Sequence, residues 1–378
     1  MMETLATAES PATLADDPAL QRIVDRVRAA SAAGTPLCLR GGDTKSFYGE
    51  VPKGDPLDLG ELRGISSYEP TELVVTARAG TPLSELEAAL AQCGQCLAFE
   101  PPRFASGGTV GGMVAAGLSG PARANAGAVR DFVLGASLVN GQGEVLSFGG
   151  QVMKNVAGYD VSRLLAGSMG VLGVIAEVSL KVLPRAAATA TVRFELDEAG
   201  ALDRLNAWGA QPLPVSASAW WDGMLVLRLS GARAAVDAAL HKLGGERVSE
   251  DLAADFWRGL RDQDDEFFDK ARAAVRSASG AALWRLSLPQ VAPVVSLPGE
   301  QLIEWGGAQR WWCTAAPAAL VREVARKAGG HATLFLAGEE RAQVFEPLAP
   351  ALARIHRELK RAFDPQGVFN PGRLYPDF

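Results

Sequence analysis

Side chains able to do chemistry are sparse in this chain, and what stands out instead is bare backbone. Of the 41 glycines in 378 residues, 25 lie between Gly34 and Gly173. Glycine weakens helices and strands by about 0.5–1 kcal/mol relative to alanine, so local enrichment marks tight turns, left-handed backbone, or main chain approached closely by a ligand. Arg40-Gly41-Gly42-Asp43-Thr44-Lys45 directly follows a short apolar strand, Pro36 to Leu39. Ser106 to Pro121 contains Gly107-Gly108-Thr109-Val110-Gly111-Gly112 and, lacking a strong period, predicts a loop with a short buried helix. Glycine-rich backbone beside strand and helix ends can aim consecutive N–H donors at a phosphate. At 40–45 the two glycines let the main chain approach a diphosphate, and a side chain at Gly41 or Gly42 would take the phosphate's space. Thr44 adds a hydroxyl donor; a plain β-turn is the other reading of this segment.

Other chemistries find little support. The chain contains no Gly-x-x-x-x-Gly-Lys-Ser/Thr, no Gly-x-Gly-x-x-Gly between a strand and a helix, no His-Glu-x-x-His and no Gly-x-Ser-x-Gly. Its three histidines, His241, His331 and His356, leave few ligands for zinc, and no metal site is expected. Cys38, Cys93, Cys96 and Cys313 do not make a disulfide framework, and Cys93-Gly-Gln-Cys96 at the end of an alanine-rich helix reads as two small apolar groups more readily than as a redox pair. With a net charge of −6 and no basic run interleaved with aromatics, nucleic acid is not an expected partner. The first twenty residues lack the basic end and apolar stretch of a signal peptide, which points to a reducing cytoplasm. Phe104 to Ala122 is uncharged over 19 residues but holds six glycines, two serines, a threonine and a proline, so it is not a membrane span, and any membrane association is expected through a partner or an interfacial contact.

The elements that must position these loops follow from periodicity. Ala19 to Ala33 reads as a helix with Leu20, Ile23, Val24 and Val27 on one face and Gly34 as its stop. Leu73 to Ala79 reads as a strand, after which Thr81 as N-cap and Pro82 at the first position open a helix with Leu83, Leu86 and Leu90 inward. Val133 to Val139 and Glu144 to Phe148 form a hairpin around Asn140-Gly141. Asp160 to Ser168 reads as a helix and Val174 to Val182 as a half-exposed alternating strand. At Pro184 the composition turns rich in alanine and arginine and carries all eight tryptophans. Helical patterns at 232–243 and 251–277 alternate there with strand-like stretches at 224–229, 282–288 and 332–336, predicting a second, α+β unit with an antiparallel sheet. From Pro347 an amphipathic helix bearing Leu352, Ile355, Leu359 and Phe363 leads into a turn-rich ending.

Taken in order, these segments resemble the FAD-binding domain of the vanillyl-alcohol oxidase / p-cresol methylhydroxylase family. The matching stretches are Arg40-Gly-Gly-Asp-Thr44, Gly107 to Gly112, Val129-Arg130-Asp131-Phe132-Val133-Leu134-Gly135, Lys154-Asn155-Val156-Ala157-Gly158-Tyr159-Asp160, Gly167-Ser-Met-Gly-Val-Leu-Gly-Val-Ile175 and Asn370-Pro371-Gly372. Within the family, the short middle region and Gly329 to Phe335 are similar to the FAD-binding subunits of bacterial glycolate oxidases.

The resemblance implies an α+β fold: a two-part FAD-binding domain of the p-cresol methylhydroxylase type, residues 1–185 completed by 347–378, around a small α/β cap at 186–346. It implies non-covalent FAD, since no histidine precedes residue 241 to carry a flavin bond in the FAD domain. Arg40, Gly41, Gly42, Asp43, Thr44 and Lys45 would cradle the diphosphate, and Gly107, Gly108, Thr109, Gly111 and Gly112 would pass beside flavin and phosphates. Gly173, Val174 and Ile175 would hold the adenosine end, Arg130 and Lys154 would supply charge, and Asn370 would face the flavin. Asp43 replaces a glycine common in the family's first loop, so its carboxylate must point away from the phosphates or weaken the site. The family's Gly-Asp/Asn-x-Asn-x-His motif is absent, so the catalytic groups are unassigned; His331 is the one histidine in a matching stretch and the candidate base. The implied activity is oxidation of a small 2-hydroxy acid, glycolate to glyoxylate, in a complex with a second FAD-containing glycolate oxidase subunit and an iron-sulfur subunit. Such a complex would be cytoplasmic, at the inner membrane only through partners. A self-sufficient 2-hydroxy-acid dehydrogenase and a non-catalytic structural flavoprotein subunit are the alternatives.

Overall fold

A computed structural model describes residues 14–150, 160–277, 280–338 and 343–378. Its first helix, Pro18–Ala33, starts where the Asp17 side chain accepts from the Ala19 N–H and stops at Gly34, whose φ of 64° ends the turn in left-handed backbone. Leu20, Ile23, Val24 and Val27 are buried against Leu37, Leu57, Val174, Ala176 and Phe369. The short strand Leu37–Arg40 pairs in parallel with Asp55–Asp58. On its other side the carboxyl-terminal tail runs alongside: Leu37 N–H donates to Val368 O at 2.7 Å and Asn370 N–H to Leu37 O at 2.9 Å.

A five-stranded antiparallel sheet follows, in the order Ile65–Glu69, Val74–Arg78, Val174–Lys181, Val133–Val139, Val145–Gly149. The strand Val174–Lys181 was expected to be half exposed but is central. Val174 and Ala176 bury against the first helix while Ile175, Val178 and Leu180 enter the larger core, so both faces are covered. Alternation of Val with Glu177 and Lys181 does not distinguish an edge from a centre whose polar members find partners, as Glu177 does by accepting from Ser66 Oγ. The helix at 83–92 starts at Leu83 with Pro82 at its N-cap. Thr81 does not cap it, because its hydroxyl is engaged with the N–H and C=O of Gly64. The helix expected at 160–168 shrinks to Val161–Leu164, because Gly167, Met169 and Gly170 all take positive φ and bend the chain into a loop.

From Ala188 the chain enters an eight-stranded antiparallel sheet. Its order is Glu246–Val248, Ala188–Glu195, Met224–Gly231, Val215–Trp221, Glu300–Glu304, Gln309–Thr314, Ala282–Ser287 and His331–Leu336. The helical pattern at 251–277 is two helices, Glu250–Asp262 and Glu266–Arg276, broken where Gln263 adopts a φ of 57° and Asp265 caps the second by accepting from Phe268 N–H. One face of this sheet, bearing Ala217, Ala219, Leu283, Leu302, Trp311 and Phe335, shares a core with Tyr48, Leu118 and Met169 of the glycine-rich half.

The last helix, Pro350–Phe363, is amphipathic by sequence, but Leu352 and Ile355 are exposed. Its second half does the packing, through Leu359, Phe363 and the buried Lys360. The Lys360 ammonium donates to Val171 O, Phe369 O and the Asp364 carboxylate, fastening the tail to the loop at 165–172.

Candidate functional site

The end of the strand Leu37–Arg40, the loop after it, the helix Val110–Ala116, the loop at 169–173 and the tail at 370–373 enclose one slot in two contiguous parts. The outer part, about 640 Å³, is lined by Cys38 to Ser46, Pro52, Thr109, Gly112, Ala115, Ala116, Met169, Asn370 and Arg373. The inner part, about 440 Å³, continues past Gly41, Thr109, Gly112 and Met169 to Leu59, Ala79, Gly111, Gly170, Gly173 and Ile175. One end is thus polar and the other a narrow apolar crevice with glycine walls.

The walls stand close because glycines let them. A β-carbon on Gly42 would overlap the carbonyl oxygen of Gly107, and one on Gly41 would overlap Thr109 Oγ1. The space a Gly42 side chain would take is therefore that of the neighbouring loop rather than of a phosphate: this glycine packs the two loops together. Thr109 also caps the helix Val110–Ala116 by accepting from Gly112 N–H at 3.2 Å. Asn370, buried and at a φ of 41°, accepts from Leu39 N–H at 2.8 Å and donates to Met169 O at 2.7 Å, so it ties one wall to the other.

The donors are main-chain. Among the described residues, the N–H groups of residues 41–45 donate to no protein acceptor. Five consecutive amides without an acceptor on the wall of a slot suit an anion of several oxygens. Charge supports this. Burial pushes the Lys45 ammonium down to about 8, opposed by Asp262. Its Nζ donates to Thr44 Oγ1 at 3.2 Å and lies 5.6 Å from the Phe104 ring centroid. Arg40 is held further toward its charged form by Cys38 and then by Asp43, so Asp43 acts beside a cation. The exposed Asp43 has a φ of 53°, the left-handed backbone that favours glycine. A diphosphate carried by an elongated, partly apolar molecule fits this donor set and shape, which is what FAD presents.

The sequence-predicted residues divide accordingly. Arg40, Gly41, Gly42, Asp43, Thr44, Lys45, Thr109, Gly112 and Asn370 line the outer part, and Gly111, Gly173 and Ile175 the inner. Gly107 and Gly108 line neither part, and Val174 buries with the first helix. Arg130 is exposed, 4.0 Å from Asp131, and is not brought to the slot. Lys154 lies outside the described residues. His331 is exposed at the first position of its strand and lines neither part. Sequence reasoning missed Cys38, Pro52, Met169, Gly170 and Arg373 on the walls; of these only Gly170 had a signal, as a glycine inside a matching stretch.

Two cations lie near the outer part, one from each half of the chain. Arg285, half-buried on the strand Ala282–Ser287, donates to the hydroxyl of buried Tyr48 at 3.1 Å. Arg123, from the helix Arg123–Ala126, lies 4.5 Å over the Trp305 ring, and burial, Arg130 and Arg285 together hold its pKa below the usual arginine value. Two half-buried guanidiniums with a phenol between the two halves of the chain can hold a small carboxylate. Tyr48 also adjoins Phe335, which belongs to a cluster in which Phe47, Phe104, Phe335, Trp311 and Phe268 pack edge to face at 4.7–5.5 Å.

Comparison with known proteins gives the arrangement relatives. Residues 19–149 match a family described as an FAD binding domain. The chain is 48% identical over 357 residues to glycolate oxidase subunit GlcE of Escherichia coli strain K12, covering 94% of this chain and 97% of that protein. It is 33% identical over 163 residues to a D-lactate dehydrogenase of Archaeoglobus fulgidus, 41% of this chain and 35% of that one. Glycolate oxidase subunit GlcD of Bacillus subtilis is 30% identical over 154 residues, 40% of this chain and 32% of that protein. Among solved structures, an alkyldihydroxyacetonephosphate synthase superposes with a TM-score of 0.62 over 93% of this chain and 74% of its own, at 15% identity, a likeness of fold.

Proposed function

The chain belongs to the family of glycolate oxidase subunit GlcE, within the FAD-binding proteins of the p-cresol methylhydroxylase type, and from that premise we propose that it carries FAD in a complex oxidising glycolate to glyoxylate. The observation that carries the reading is the run of N–H donors at residues 41–45, without acceptors among the described residues, on the wall of a long, narrow slot. Bound there, FAD supplies a ring that takes two electrons from the carbon bearing the substrate hydroxyl. The chain's own part is to bind, orient and shield. Residues 41–45 and Lys45 hold the diphosphate, Asn370 keeps the slot walls in register, and the inner glycines admit the adenosine end. Arg285, Arg123 and the Tyr48 hydroxyl hold the carboxylate of the 2-hydroxy acid, with the aromatic cluster keeping the site dry.

The relative named above is a subunit, and this chain is one too. Its finer partners in this reading are a second FAD-containing subunit and an iron-sulfur subunit, because four cysteines scattered from Cys38 to Cys313 do not give the cluster-binding spacing needed to pass electrons on alone. The assembly is cytoplasmic, reaching the inner membrane only through partners.

The test is to purify the chain alone and with its co-purifying subunits, record the flavin spectrum, and add glycolate without oxygen. A yellow protein that bleaches only in the assembled complex is expected, and Arg285→Gln should raise the glycolate concentration at half-bleaching. A colourless chain that takes up no added FAD refutes the reading, and full bleaching of the isolated chain refutes its dependence on partners.

A further inference from the structure

We infer that Arg373, in the carboxyl-terminal tail, is a positioning residue that sets FAD affinity by holding the cofactor loop in shape; the inference rests on the FAD reading above. Its guanidinium is almost fully buried and lies on the wall of the slot's outer part. Nη2 donates to the carbonyls of Tyr48 at 2.6 Å, Ser46 at 3.1 Å and Lys45 at 3.4 Å, and Nη1 donates to the carbonyl of Glu50. Main chain reinforces the contact, because Glu50 N–H donates to Arg373 O at 3.1 Å. One side chain from the last turn of the molecule therefore gathers four carbonyls from six consecutive residues, starting with the last residue of the diphosphate loop.

The bonding pattern decides the role. Each terminal nitrogen bonds loop carbonyls, which makes the loop the group's immediate partner. In a trans peptide the C=O of one residue and the N–H of the next share a plane, so drawing in the carbonyls of Lys45 and Ser46 fixes the peptides just after Lys45 and pins the carboxyl-terminal end of the 41–45 loop, from which the Lys45 side chain leaves. A planar guanidinium can serve several carbonyls at fixed angles, whereas a lysine ammonium presents its donors from a single point. Gly49 accommodates it: its φ is +90°, and a β-carbon there would sit 3.2 Å from Arg373 O and 3.5 Å from Cζ. The same loop is held from the cap, through Val344 N–H donating to the Glu50 carboxylate at 2.7 Å and Arg285 donating to Tyr48. Arg373 thus completes a loop gripped from both sides, and through that loop the tail becomes part of the cofactor site.

The experiment strips flavin from the full chain and titrates FAD by fluorescence quenching in wild type, Arg373→Ala and Arg373→Lys, with the melting temperature of each flavin-free protein recorded alongside. Affinity should fall at least tenfold in Arg373→Ala and remain weakened in Arg373→Lys. Guanidinium ion at tens of millimolar should restore affinity to Arg373→Ala, while methylammonium at the same ionic strength should not, a rescue that general loss of stability would not produce. Unchanged affinity in both variants, or a loss that guanidinium leaves in place, overturns the inference while the FAD reading stands. A wild-type chain with no affinity for FAD overturns both.

Discussion

If residues 41–45 hold the diphosphate as proposed, Lys45 makes FAD binding sensitive to pH. Burial lowers its ammonium from 10.5 to about 8, so the free protein gives up this proton in mildly alkaline solution. A diphosphate on the same loop favours the charged form, and at the limit it returns the group to its ordinary value. The bound state then holds the proton more tightly than the free state, so FAD uptake carries a proton with it above about pH 8, and affinity must fall as pH rises. With values of about 8 free and 10.5 bound, affinity at pH 9 should be about tenfold below that at pH 7, and the fully developed difference of about 2.5 units corresponds to about 3.4 kcal/mol. The assay is FAD titration of flavin-free protein at pH 7, 8 and 9 at constant ionic strength. Lys45→Met should bind weakly at every pH and lose the slope. Equal wild-type affinity at pH 7 and pH 9 would show that the ammonium does not face the phosphates. The same shift bears on folding: the unfolded chain binds the proton more tightly than the flavin-free native state, so the stability of the flavin-free protein should rise between pH 8 and pH 10.5 through this group.

Two substitutions test the packing argument separately from charge. Gly42→Ala alone should abolish FAD retention and lower the melting temperature, because its β-carbon collides with Gly107 O; overpacking of this kind destabilises by roughly 1–3 kcal/mol. Gly108→Ala, whose β-carbon would meet nothing nearer than 3.6 Å, should keep its flavin; equal yellow colour in the two purified proteins would defeat the reasoning. Lys360→Met leaves Asp364 buried without its ammonium and should lose about 3–5 kcal/mol of stability in urea unfolding. A loss under 1 kcal/mol would mean that the N–H donors of Val368 and Phe369 suffice for that carboxylate.

How far the fold and the site could be read from the sequence depended on whether the signal was local. Glycine is such a signal, since a left-handed turn or a close approach excludes a β-carbon at that position, and so the loops at 40–45 and 107–112 stood out before any fold was known. Burial on a second face is not local: Val174 to Lys181 alternates as a half-exposed strand would, and only its place between two partner strands and beneath the first helix decides otherwise. Leu352 and Ile355 fail in the opposite sense, since an apolar stripe states that a helix could pack there and not that a partner surface arrives. Tethers are the least readable of all. Arg373 is one of 37 lysines and arginines, and the carbonyls it gathers belong to backbone that every residue possesses. No pattern of side-chain types can encode that match, because it exists only once a tail more than 320 residues away in sequence has been folded back alongside the strand Leu37–Arg40. A site made chiefly of main chain therefore announces where the ligand goes through its glycines, and conceals what holds it there.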